Sequence, residues 1–197
     1  MTIHRTVRAI AAAATLLALA ACATVASAPA GRYKVGEDYA VTLGREWSDI
    51  SLIVAARPPN VHLLSIDGPQ LNRLFLADGI AEGGYFVKPA SKEAPTPTYR
   101  AGLSQSELIE FVIDSVAALG LERPESVNPR PASFGAADGL RFDLTAKTAG
   151  GLDISGTSLV AERGGKLHVM LYLAPAEHYY AATLPEVEHV MSTATLK

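Results

Sequence analysis

A single cysteine, Cys22, stands in a chain of 197 residues. No intrachain disulfide can form, so even in an oxidising compartment the fold must rest on its core alone. Charge is also sparse: 19% of residues are Asp, Glu, Lys or Arg, the formal net charge is −3, and no run of five like charges occurs. That balance excludes an electrostatic footprint for nucleic acid and a polybasic patch for anionic lipid headgroups. Long hydrophobic runs are missing too. The nearest, residues 9–19, is about half the roughly 20 apolar residues that a membrane-spanning helix requires.

Motifs that carry chemistry are equally scarce. The glycine pairs at 83–84, 150–151 and 164–165 match neither G-x-x-x-x-G-K-[ST] nor G-x-G-x-x-G, and read as turns. No G-x-S-x-G elbow or S-x-x-K tetrad occurs, and the serines of "GLSQS" and "DISGTS" fall on a helix cap and a strand, so a hydrolase ranks last. His4, His62, His168, His178 and His189 form neither H-x-x-x-H nor H-E-x-x-H, and no zinc site can be read from spacing. The expectation is a protein without cofactor that is not an enzyme.

What the chain does contain begins at its N-terminus. His4, Arg5 and Arg8 precede the apolar segment 9–19, which has the charge order and length of a signal peptide. The next residues, Leu19-Ala20-Ala21-Cys22, resemble the lipobox of bacterial lipoproteins. There a thiol forms a thioether to diacylglycerol, and small residues before it admit the peptidase. The resemblance implies acylation of Cys22 and attachment to membrane lipid, and Ala23 in place of Asp favours the outer membrane, facing the periplasm. The alternative is an ordinary signal peptide ending at Ala26-Ser27-Ala28, with Cys22 discarded. The expected organisation is a signal peptide over 1–21, a lipid-anchored tether over 22–32 and one domain over 33–197.

Within the domain, residues 104–119 read as a helix. Ser104 and Glu107 form a capping box, apolar residues recur at helical spacing from Leu108 to Leu119, and Gly120 suits a left-handed cap. Strands are expected at 39–43, 61–66 and 71–76. An antiparallel meander follows, with strands near 140–146, 152–162 and 166–173 and a Gly164-Gly165 hairpin turn. Its middle and last strands are apolar on both faces, which predicts that at least part of the sheet is covered on both sides. A helical turn over 176–182 and a closing helix over 185–194, capped by Thr183 and Glu186, complete the pattern. The fold class is α+β, an antiparallel sheet packed with helices in a single domain.

The stretches "GEDYAVTLGREWSDI", "GLRFDLTAK" and "GLDISGTSLVAERGGKLHVMLYLAPAEHYYAATLPEVEHVMSTATL" together resemble the PsbP-like fold, an α/β/α sandwich. Members of that family bind partner proteins or stabilise assemblies and are mostly not enzymes, so the resemblance implies a binding role. Candidate surfaces are few. Trp47 with Tyr33, Tyr39, Tyr85 and Phe86 is either a ligand groove or buried mass, and Tyr179 and Tyr180 are candidate interface anchors. His178 and His189, with Glu177 and Glu186, are weak metal candidates. The functional expectation is a lipid-anchored, non-catalytic binding or scaffolding module whose partner is an envelope protein, with a small-ligand or metal-binding periplasmic module as the alternative.

Overall fold

In the computed structural model, which describes residues 25–37, 39–54 and 57–196, the chain runs through β1 (Ala26–Ala28), β2 (Gly31–Lys34), β3 (Tyr39–Leu43), β4 (Trp47–Asp49), β5 (Val61–Ser65) and β6 (Arg73–Ile80) before the first helix among the described residues. That helix, α1 (Gln105–Ala118), is followed by β7 (Glu122–Phe134), β8 (Ala137–Lys147), β9 (Asp153–Arg163), β10 (Lys166–Pro175), α2 (Ala181–Ser192) and β11 (Thr195–Leu196). The signal segment and the lipobox with Cys22 lie outside the described residues. Pairing among the described strands is antiparallel. It gives an eight-stranded sheet in the order β1-β4-β5-β6-β10-β9-β8-β7 and a three-stranded sheet in the order β11-β3-β2.

The local chemistry explains the main elements. Glu107 N–H donates to Ser104 Oγ at 3.3 Å and Ser104 N–H donates to Glu107 Oε2 at 2.8 Å, a reciprocal cap that satisfies two otherwise orphaned donors of α1. Gly120, with φ 84°, closes the helix. Gly164 and Gly165, with φ 60° and 71°, make the two-residue turn that sets β9 against β10 with Lys166 opposite Arg163.

Alternation in β10 builds two cores. Leu167, Val169, Leu171 and Leu173 face one hydrophobic cluster, where α1 contributes Leu108, Phe111, Val112 and Val116. Met170, Tyr172 and Ala174 face another, with Val187, Val190 and Met191 of α2 and Tyr39, Val41 and Leu43 of β3. The central sheet is therefore covered on both sides, as two-faced apolar strands require. The result is an α+β single domain.

Three expectations need correction, and one strand forms where the sequence pattern assigns none. The tether placed at 22–32 is too long, because β1 pairs with β4 from Ala26 onward and buries Ala28 in the second core. The folded part thus starts before Tyr33, and cleavage after Ala28 would strip β1 from the sheet. The sequence pattern assigns no element to 122–134, which holds Pro124, Pro129 and Pro131. β7 nonetheless forms at the sheet's edge, where proline costs no ladder hydrogen bond, and two register shifts interrupt it.

The segment 176–180 is not a regular helical turn: Glu177 is extended (ψ 122°) and His178 is left-handed (φ 68°). Finally, α2 begins at Ala181 and carries Pro185 inside it. Thr183 and Glu186 do not cap it. Glu186 Oε1 instead accepts from Gly44 N–H at 2.8 Å and Trp47 Nε1–H at 3.4 Å, so a tertiary contact displaces the local one.

Candidate functional site

β8 buries Leu140, Phe142, Leu144 and Ala146 on one face and leaves Arg141, Asp143 and Thr145 partly open on the other. There, between β7, β8, β9 and the start of α2, lies a cleft of about 370 Å³. Tyr180 walls it. The ring stacks on Tyr172, with centroids 5.7 Å apart and planes inclined by 22°, and the hydroxyl donates to Gly156 O at 3.4 Å. Burial, followed by the negative charge of Asp143, pushes the Tyr180 hydroxyl up to about 12, so it remains a donor at neutral pH.

The floor of the cleft is a network of paired charges. Arg130 forks onto Asp143, with Nη1 to Oδ2 at 3.0 Å and Nη2 to Oδ1 at 3.3 Å, the two-point geometry that a planar guanidinium favours. Arg141 donates from Nε to Thr157 Oγ1 at 3.3 Å and from Nη2 to Glu188 Oε1 at 3.2 Å, which ties β8 to β9 and α2. Burial alone would raise the Asp143 carboxyl, but hydrogen bonds from Arg130 and Thr157 outweigh it and hold the group below its ordinary value. Both guanidiniums are thus fixed in place beside carboxylates. A surface of this kind presents charged groups held in fixed positions beside one aromatic wall.

A second concavity, about 470 Å³, lies where β6 and β10 meet the three-stranded sheet, and Asp78, Arg163, Lys166 and His168 line it. His168 is buried, with Nδ1 3.3 Å from Asp78 Oδ1, and its ring meets Tyr39 and Phe134 edge-on. The Tyr39 hydroxyl is fully buried and makes no hydrogen bond within the described protein, and burial followed by the charge of Asp78 raises its pKa. At the β4 edge, Tyr33 donates its hydroxyl to Asp49 Oδ2 at 2.8 Å and lies 3.0 Å from His62 Nδ1. Burial lowers the pKa of His62 despite the neighbouring Asp49.

Of the residues singled out from sequence, Trp47 is not a binding surface. It is buried in the second core, where its bulk fills the space beneath Glu186 and its indole N–H is already engaged. Tyr39 shares that core and Phe86 lies in the other, and all three are buried, so they line no open groove. Tyr179 and Tyr180 are half-buried neighbours, but only Tyr180 lines the cleft; Tyr179 meets the His178 ring edge-on and accepts from Tyr172 Oη–H through its carbonyl. His178 and His189 are both exposed, and Glu186 is turned toward Gly44 and Trp47. Among the described residues no three His, Cys, Asp or Glu side chains converge as a metal would require. Arg130, Arg141, Asp143 and Glu188 were missed as a set. The alternation of β8 places Arg141 and Asp143 on one face, but nothing local announces their partners on β7 and α2.

No family profile and no curated protein matches the chain. Solved structures do. The chain overlays the cyanobacterial PsbP, CyanoP, of Synechocystis sp. PCC 6803 with a TM-score of 0.51 and 14% identity, over 90% of this chain and 96% of that one. It overlays the Ran-binding protein Mog1p of Saccharomyces cerevisiae with a TM-score of 0.51 and 8% identity, over 88% and 96%. LpqN of Mycobacterium tuberculosis, described as involved in cell envelope biogenesis, aligns over 90% and 87% with a TM-score of 0.35 and 10% identity. At these identities the likeness is one of fold, and the fold is that of PsbP.

Proposed function

We propose that this protein is a lipid-anchored, non-catalytic binding module of the bacterial cell envelope, attached through acylated Cys22 to the outer membrane and engaging an envelope protein at the Tyr180 cleft. The observation that carries the reading is the cleft itself. An aromatic wall stacked on a core tyrosine stands over two guanidiniums fixed by carboxylates, a surface built to recognise and hold. The use of the same fold by a Ran-binding protein supports a role in protein binding. Among the described residues no helix is long and apolar enough to cross a membrane, so attachment in this reading falls to the lipid.

Crosslinking in intact cells, followed by identification of the captured protein, tests the proposal. A defined envelope protein should be captured by the wild type and captured several-fold less by Tyr180→Ala or Arg141→Ala, with Tyr179→Ala the milder change. Intact-mass analysis should show diacylglycerol on Cys22, and Cys22→Ala should release the protein from membranes. Capture unaffected by the cleft variants would move the binding surface elsewhere.

The buried pairing of His168 with Asp78 beside the larger concavity favours one second reading, a small-ligand module. Under that reading, native mass spectrometry of purified protein would show a retained molecule that His168→Ala loses.

A further inference from the structure

The turn after β4 carries an apolar tip that nothing among the described residues covers. Leu52 is 81% exposed and Ile53 is 44% exposed. The tip is not a slack loop. Ile53 N–H donates to Ile50 O at 3.1 Å, Ser51 N–H to Asp49 Oδ1 at 2.9 Å, and Leu63 N–H to Ser51 Oγ at 2.9 Å. Arg57 fastens the far side, donating from Nε to Ser51 O at 2.6 Å and from Nη1 to Pro58 O and Val61 O at 3.1 and 2.9 Å. A guanidinium spent on backbone carbonyls holds two large aliphatic side chains out in solvent, where folding alone gives them no reason to be.

The position of this tip names its occupant. β1 pairs with β4 so that Ala26 lies opposite Asp49, and Val25, itself 46% exposed, lies one residue beyond that pair, alongside the start of the turn. Only residues 23–25 separate β1 from Cys22. Fully extended, the four steps from Cys22 to Ala26 reach about 14 Å. Crossing one headgroup layer uses about 5–8 Å of that. A chain acylated at Cys22 therefore cannot float free of its membrane; the N-terminal end of the edge strand β1 is drawn against it, and the rigid tip stands beside that end, just after β4.

We infer that Leu52 and Ile53, with Val25, form a membrane-seating surface that inserts into the headgroup and acyl boundary and orients the domain, with β1 toward the lipid and β7 away from it. Apolar side chains presented on a fixed turn enter that boundary without the ordering cost of a flexible loop, and their effect adds to that of the acyl chains. With eight strands spaced about 4.8 Å apart, β7 stands roughly 34 Å from β1. The Tyr180 cleft, built on β7, β8 and β9, is thereby held out toward the aqueous side. The inference rests on the lipid-anchor reading, and its test separates the two.

The full-length protein is produced in a bacterial host, checked by intact mass for diacylglycerol on Cys22, and reconstituted in vesicles of phosphatidylethanolamine and phosphatidylglycerol. Acylation consumes the only native thiol, so Leu52→Cys supplies a single site for an environment-sensitive dye, and Glu125→Cys on β7 supplies the distant control. The dye at 52 should shift to the blue, be quenched by nitroxide-bearing lipid and be shielded several-fold from aqueous iodide; the dye at 125 should show none of these. Equal accessibility at the two sites in mass-verified lipidated protein overturns the inference while leaving the anchor intact. Absence of the diacylglycerol mass overturns the anchor reading first, and this inference with it. Shielding at 52 in cells but not on protein-free vesicles also overturns it, and assigns the tip to a partner protein.

Discussion

Gly156 is the residue on which the cleft most directly depends. A Cβ there would stand 2.7 Å from Tyr172 O, 2.8 Å from Leu173 Cδ2 and 2.9 Å from Leu144 Cγ, contacts that real side chains do not make. β9 can approach β10 so closely only without a side chain, and that approach also lets the Tyr180 hydroxyl reach Gly156 O. Gly156→Ala should destabilise the protein by about 1–3 kcal/mol through overpacking, measured by denaturant unfolding, and should weaken partner capture alongside Tyr180→Ala. A cost below about 0.5 kcal/mol would mean that β9 and β10 can part without penalty. Asp143 allows a different residue-scale test. Its carboxyl is held below the ordinary 3.8, so as pH falls the unfolded chain takes up this proton first. The stability contributed by the carboxylate is therefore present above about pH 4 and is lost as pH drops through the lower folded value. Asp143→Asn should flatten that acid limb, and parallel acid limbs for the two proteins would show that the Asp143 carboxylate contributes nothing to it.

At the scale of elements, α1 is the clearest case of sequence deciding structure, and the least dependent on context. Its capping box, apolar spacing and terminal glycine are all local, and each appears where expected. Phe111 is 4% exposed and meets Tyr99 edge-on at 6.2 Å, so Phe111→Ala should cost about 3–5 kcal/mol. The hairpin between β9 and β10 was legible for the same reason, two adjacent glycines at positive φ between alternating strands. β7 was not, because its three prolines are breakers on any local view and are tolerated only where the strand meets no further neighbour. That edge position is a property of the whole sheet. The start of α2 was misread likewise: a threonine and a glutamate three apart suggest a cap, but Glu186 finds better donors in Gly44 and Trp47, far away in the chain. The cleft shares this cause. Tyr180 was legible as a candidate interface anchor, whereas the pairing of Arg130 with Asp143 and of Arg141 with Glu188 exists only after β7 and α2 have docked on β8.

For the whole molecule, the two cores are joined through one sheet and cannot be separate folding units. Residues alternate along β10 between the cluster under α1 and the cluster under α2, so loss of either layer exposes one full face of the same central strand. Trp47, the only tryptophan, lies in the second cluster, while Phe111 lies in the first, on the opposite side of the sheet. Trp47 fluorescence thus reports on one layer, and a cavity made at Phe111 damages the other. If the domain unfolds cooperatively, Phe111→Ala should lower the urea midpoint seen by Trp47 fluorescence as much as the midpoint seen by far-ultraviolet circular dichroism, with an unchanged slope for each. If instead the Trp47 transition keeps its wild-type midpoint while the dichroism transition moves, the α1 layer melts independently of the α2 layer, and the single-domain account fails at the strand that was meant to bind the two together.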